Sequence, residues 1–240
     1  MDYSFVRQNF PRVKEIVNDW MNVDPPKPNI IIGHQSLKLP KLDQIWSEWE
    51  TTTSSLYIVP YQLIGLRPRY KKELEKLRSS NVYISPEYDL IRSFAGEYAQ
   101  HALSHVPKSN HTEESKPAYK SSLPFDIKFK GIEAHIPLAR DKAVNMFLRN
   151  KVANEMKHPD DYKVENSLVH AIYGDYFRQA VHRLDSKRAF NRGITLLAYN
   201  LAQEKFARMS KEEFRAFVRV NSISSTDIVE TAAILESFLI

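Results

Sequence analysis

Cysteine is missing altogether from these 240 residues, and glycine is scarce at six. Without thiols there can be no disulfide scaffold, cysteine zinc site, iron–sulfur cluster or thiol nucleophile. Six glycines are under half the usual share of about 7%. The closest two, Gly174 and Gly193, stand 19 residues apart. That spacing excludes GxGxxG and the Walker A loop, where closely set glycines let the backbone wrap phosphate. It also excludes the glycine-flanked serine elbow. Long apolar runs are absent too, since IVPY and ILESFLI are short or interrupted and no stretch approaches about 18 apolar residues. The start, MDYSFVRQNFPRVKEIV, has an acid at position 2 and no apolar core, unlike a secretory signal. The expectation is a soluble, intracellular protein that does not enter a membrane.

What remains is an ordinary globular composition, 42% hydrophobic and 26% charged, with a net charge of +5. Helical spacing dominates it. Val13, Ile16, Val17, Trp20 and Met21 make one apolar stripe behind Pro11, which reads as a first-turn proline. DPPKPN at 24–29 reads as an extended linker and Ile30–Ile32 as a short strand. A short helix is expected around Leu42–Trp49, another after Pro68, and a strand at 81–84. LYIVPYQLIGL (56–66) is ambiguous, because Pro60 and Gly65 oppose a long element of either kind. Ser85-Pro86-Glu87 is a strong helix start, with a capping hydroxyl, a proline and a first-turn acid.

PKSNHTEESKPAYKSS has almost no apolar content and reads as a mobile polar loop over 107–123. PFDIKFKGIEAHIPL then alternates apolar and polar about Lys130-Gly131, which predicts a hairpin near 124–138. Helices are expected over 139–157, 163–191 and 194–208. Two more follow behind capping boxes at Ser210/Glu213 and Ser224/Asp227. The predicted fold is mainly α with a minor β component. Its two loosely divided parts are 1–106 and 124–240.

Charge is the most informative pattern. Between Arg178 and Arg219 lie ten bases and four acids, a net +6, more than the whole chain carries. Residues 1–177 contribute +2 and the last 21 contribute −3. Arg183 and Lys187, and Arg188 and Arg192, are spaced i, i+4. Arg208, Lys211, Arg215 and Arg219 step by 3, 4 and 4, which sets bases on one side of a helix. With Arg178 these nine are the candidate phosphate contacts. Arginine outnumbers lysine seven to three among the ten bases, and its planar fork suits phosphate oxygens. Aromatics lie among or just before them: Tyr173, Tyr176, Phe177, Phe190, Tyr199, Phe206, Phe214 and Phe217. Stacking plus phosphate neutralisation holds single strands without regard to sequence. The same spacing equally suits core aromatics beneath a solvated charged face.

Three functions compete. The charge favours nucleic-acid binding, to RNA or single-stranded DNA, without a catalytic motif, as in a nucleoprotein or coat-type packaging subunit. A second reading is a Mg²⁺-dependent nuclease. Asp126, Lys128 and Glu133 would share one face of the hairpin, Glu97 would sit on the preceding helix, and the metal would activate water beside a phosphate. A third is a protein–protein adaptor or structural subunit whose basic face meets an acidic partner. His101 and His105 are spaced to grip a metal, but HALSH lacks the acid of HExxH and is not expected to bind zinc. The apolar end of the last helix could serve self-association.

Overall fold

The computed structural model describes residues 3–33, 55–67, 85–109, 131–156, 166–220 and 223–239. Among them are seven α-helices and one three-stranded sheet, the mainly α fold with minor β content that the sequence predicts. Contacts divide the chain into two compact units. One is Met1–Val106 with Leu148–Val164, and the other is Pro107–Phe147 with Glu165–Ile240. The helices expected at 42–49 and after Pro68 and the strand expected at 81–84 lie outside the described residues, as does most of the 107–123 loop.

In the first unit, α1 (Ser4–Met21) starts well before Pro11 rather than at it. Val6, Phe10, Val13, Val17 and Trp20 recur at steps of four and three and are all buried. A proline inside a helix costs about 3 kcal/mol, because it cannot donate to the carbonyl four residues back. Burying Val6 and Phe10 contributes about 1.5–3 kcal/mol each, which favours the longer helix. The helix closes on Asn22, left-handed at φ 52°, a residue type that tolerates that conformation. In α2 (Pro86–Leu103) the Ser85 hydroxyl accepts from the Tyr88 N–H at 3.3 Å, the cap that the sequence announces. Phe94 of α2 stacks on Phe10 of α1 with ring centres 3.9 Å apart.

The ambiguous stretch 56–66 is a hairpin. β2 (Ser55–Ile58) runs antiparallel to β3 (Leu63–Leu66), and β1 (Asn29–Ile32) adds in parallel on the other side of β3. Pro60 sits in the short 3₁₀ turn between β2 and β3, and Gln62 takes a left-handed conformation (φ 44°) to re-enter the sheet. Central β3 is buried at every residue, as its unbroken apolar sequence requires.

Between sheet and α2 lies a small polar seam. Ser55 donates to the Glu97 carboxylate at 2.6 Å. The Nε2 of His101 lies 2.8 Å from the Pro26 carbonyl, which can only accept, so Nε2 carries the proton. Nδ1 then accepts from the Tyr57 hydroxyl at 2.9 Å. Both ring nitrogens of this fully buried histidine are therefore spent on the protein itself.

In the second unit the expected hairpin is replaced by helix. Residues 131–138 belong to α3 (Gly131–Glu155), and 124–130 lie outside the described residues. Ile132, Ile136, Ala139, Ala143, Phe147 and, past the unit boundary, Val152 are buried, a progression of helical period. Pro137 is tolerated on the exposed side. The long helix expected over 163–191 is in fact two, α4 (Asn166–His182) and α5 (Ser186–Asn200), and the FNRG stretch is no stop because Gly193 lies inside α5. A Cβ at Gly193 would meet Leu235, Phe177 and His135 at 3.3, 3.4 and 3.5 Å, so glycine here permits close helix packing. One π turn (Leu201–Lys205) and a 3₁₀ turn lead to α6 (Lys211–Arg219) and α7 (Ser225–Ser237).

Both capping boxes form. Glu213 accepts from the Ser210 N–H at 2.7 Å, and Asp227 accepts from the Ser224 N–H at 2.9 Å. Burial pushes the Asp227 carboxyl up, but the Ser224 bonds and the Arg140 guanidinium at 2.9 Å outweigh it and hold the group below its ordinary value. The apolar stripe of α7, Ile228, Ala232 and Leu235, lies in the core of its own unit with Phe238 beyond it.

Burial, reinforced by His105 and Lys14, lowers the His101 pKa against the opposing pull of the Pro26 bond. The unfolded chain therefore binds the proton first. Stability is full above about pH 6.5 and falls as pH drops through that value. The urea midpoint of the wild type should decline on acidification below about pH 6.5, with a shallower decline in His101→Gln. A midpoint as pH-dependent in His101→Gln as in the wild type would place the acid sensitivity elsewhere.

Candidate nucleic-acid interface

The break between α4 and α5 determines where the first group of bases stands. The Asp185 N–H bonds the Ala180 carbonyl and the Leu184 N–H bonds the Val181 carbonyl, both at 2.9 Å. This paired pattern is the Schellman closure, whose left-handed residue is usually glycine. Here that residue is Leu184, at φ 53°, with 64% of its surface exposed. Asp185 then starts α5, its carboxylate accepting from the Arg188 N–H at 3.0 Å and pairing with Arg188 Nε at 3.3 Å.

The result is a helical hairpin with bases around its tip. Arg183, Lys187 and Arg188 are exposed. Among the described residues Arg183 and Lys187 have no ion-pair partner. Further down the hairpin, the half-buried Arg192 sets its guanidinium carbon 5.5 Å from the Tyr173 ring centre and 5.2 Å from that of Tyr176. Tyr176 keeps 48% of its surface exposed. Arg178 is turned to structural use, paired with Asp175 and donating to the Phe238 carbonyl at 3.4 Å. From Tyr173 to Arg192 five bases face two acids, a net +3.

The second group, on and before α6, is more compensated. Arg208 pairs with Glu204 at 3.5 Å and Arg215 with Glu212 at 3.7 Å. Arg215 and Arg219 are half-buried. Lys108 donates to the Val218 carbonyl at 2.9 Å and Ser109 to the Arg219 carbonyl, satisfying the helix end. Lys211 stands at the helix start, in the same first turn as Glu212 and Glu213. The carboxyl of Glu213 is held below its ordinary value by the Ser210 hydrogen bonds. From Glu204 to Arg219 five bases face three acids. Each i, i+3 and i, i+4 acid partner is present in the sequence, where spacing alone foretells the pairing.

Most of the aromatics are core. Phe177, Tyr199, Phe206 and Phe214 are buried. Phe206, Phe214 and Phe147 form one cluster, with Phe147 and Phe214 ring centres 4.8 Å apart and Phe206 and Phe214 5.4 Å apart. Phe190 packs on buried His135 at 4.3 Å. Phe217 meets Phe206 at 4.9 Å beneath the Arg140 and Lys205 cations. Tyr176 differs, since it is exposed and lies beside the Arg192 cation of the hairpin, while half-buried Tyr173 packs against the core.

The acid set of the nuclease reading is not assembled on a hairpin. Glu133 lies in the first turn of α3 in the second unit. Glu97 lies on α2 in the first unit, bonded to Ser55, with burial raising its pKa despite that bond and nearby Arg149. Asp126 and Lys128 lie outside the described residues. No described helix is long and apolar enough to cross a membrane. Comparison with models of protein families, with curated proteins and with solved structures finds no match for this chain.

A left-handed leucine costs roughly 1 kcal/mol over glycine. Leu184→Gly should raise the unfolding free energy by about that amount in urea titrations. A less stable variant would mean that the leucine side chain holds the hairpin together by packing.

Proposed function

We propose that this chain binds nucleic acid through its phosphates, largely regardless of sequence, with the α4–α5 hairpin as the principal contact. The observation that carries the reading is the exposed trio Arg183, Lys187 and Arg188 at the tip, where the lone acid, Asp185, caps α5 and pairs with Arg188, which leaves Arg183 and Lys187 without an ion-pair partner among the described residues. Arginine in this setting offers planar forks that match phosphate oxygens, and three or four such contacts suffice for a salt-dependent complex. The α6 bases Arg208, Lys211, Arg215 and Arg219 are auxiliary, because Arg208 and Arg215 are paired with acids and Arg215 and Arg219 are half-buried, whereas Arg183 and Lys187 at the tip are exposed and have no ion-pair partner among the described residues. Binding of this kind suits a nucleoprotein or coat-type packaging subunit, in which many copies share one polymer.

Four phosphate contacts to a single strand give a log–log salt slope of roughly −3. Affinity should then fall about 50-fold between roughly 50 and 200 mM salt. Reversing Arg183 and Arg188 together to Glu should weaken binding across all sequences and flatten the slope by about two. Reversing Arg208 and Arg215 should have the smaller effect. The reverse ranking would move the interface to α6. A complex indifferent to both pairs would move the interface away from these helices, and protein that purifies free of nucleic acid and binds none would favour the adaptor reading.

A further inference from the structure

A surface needing only charge at the α4–α5 tip would gain from glycine or asparagine at position 184. Helix α1 closes in this way, with Asn22 left-handed at φ 52°. At the end of α4 the chain instead holds a leucine in the disfavoured conformation and leaves 64% of it in solvent. Such an exposed, strained residue at the centre of a basic tip points to a contact that uses its side chain. Tyr176 stands eight residues earlier, on the last two turns of α4. It is half-exposed and has the Arg192 guanidinium 5.2 Å from its ring centre.

We propose that Tyr176 and Leu184 contact the faces of unpaired bases while Arg183 and Arg188 hold the adjoining phosphates, so that the ligand is single-stranded nucleic acid. The inference rests on the nucleic-acid reading above and narrows it. Phosphate contacts alone reward the duplex, whose charge density is the higher. A duplex hides its base faces in the stack, whereas an unpaired strand presents them to an aromatic ring or apolar side chain. Stacking of this kind is tolerant of sequence because every base has a π face. Arg192 beside the tyrosines adds a second planar cation that bases and phosphates both accept.

The test is fluorescence anisotropy at low salt with labelled oligothymidylate, labelled oligouridylate and a DNA duplex of equal length. The proteins are full-length wild type, Tyr176→Ala, Leu184→Gly, and Arg183→Glu with Arg188→Glu. The wild type should bind both single strands more tightly than the duplex. Tyr176→Ala should lose about tenfold of single-strand affinity with the duplex affinity unchanged. Leu184→Gly, which relieves strain and so keeps the fold, should lose single-strand affinity selectively as well. If neither substitution lowers single-strand affinity, or both lower single-strand and duplex affinity alike, the base contact is overturned. Loss in the double arginine variant would then leave the phosphate reading standing. A wild type that binds no polymer overturns both readings, and so does one that ignores all three yet sediments with phosphatidylserine vesicles.

Discussion

The reversal of the chain at Leu184 turns on one left-handed residue, and the surface chemistry of the second unit depends on it. Two backbone bonds, from Leu184 to Val181 and from Asp185 to Ala180, end α4 and bend the chain back. Asp185 then caps α5 within a single residue of that bend. Because the reversal is so short, Arg183, Lys187 and Arg188 crowd one tip instead of being spread along a straight helix. The same reversal returns α5 alongside α4, which brings Arg192 against Tyr173 and Tyr176. A continuous helix over 163–191 would have carried the same residues without that convergence.

The core beneath holds the hairpin in place. Phe177, Ala180 and Val181 of α4 and Ala189, Ile194 and Leu197 of α5 pack into one cluster with Ile132, Ile136, Ala232 and Leu235. At Gly174 a Cβ would stand 3.1 Å from Phe238, and Gly193 is similarly crowded, so these two glycines stand at close contacts of the α4–α5 hairpin with the end of the chain. Charge is then left to the outside, where the hairpin keeps more of it unpaired than α6 does.

The features legible in the sequence were the local ones. Ser85, Ser210 and Ser224 announce helix starts because a cap is an interaction within four residues. Over 131–138 the expected hairpin gives way to helix, because Ile132 and Ile136, four apart, satisfy a period of two as well as one of 3.6. His135, three residues from Ile132, separates the two, because its burial on the same side as Ile132 and Ile136 belongs to a helix. The break at Leu184 carried no signal, since nothing in leucine marks a left-handed turn. Of the site, the concentration of charge was visible by counting. The acid pairing within both groups was legible in the Asp175–Arg178, Asp185–Arg188, Glu204–Arg208 and Glu212–Arg215 spacings, whereas the exposure of Arg183 and Lys187 at a helix-hairpin tip was not. The structural use of Arg178, and the burial of His101 between Tyr57 and Pro26, depend on partners distant in sequence.

The contact between hairpin and polymer is best tested by where the polymer touches. Photocrosslinking of the wild type to an oligonucleotide carrying 5-iodouracil, followed by mass spectrometry of the digested complex, identifies the residue against a base. The account predicts the adduct within Tyr173–Arg192, centred on Tyr176. An adduct confined to α6, or to helices of the first unit, would contradict it.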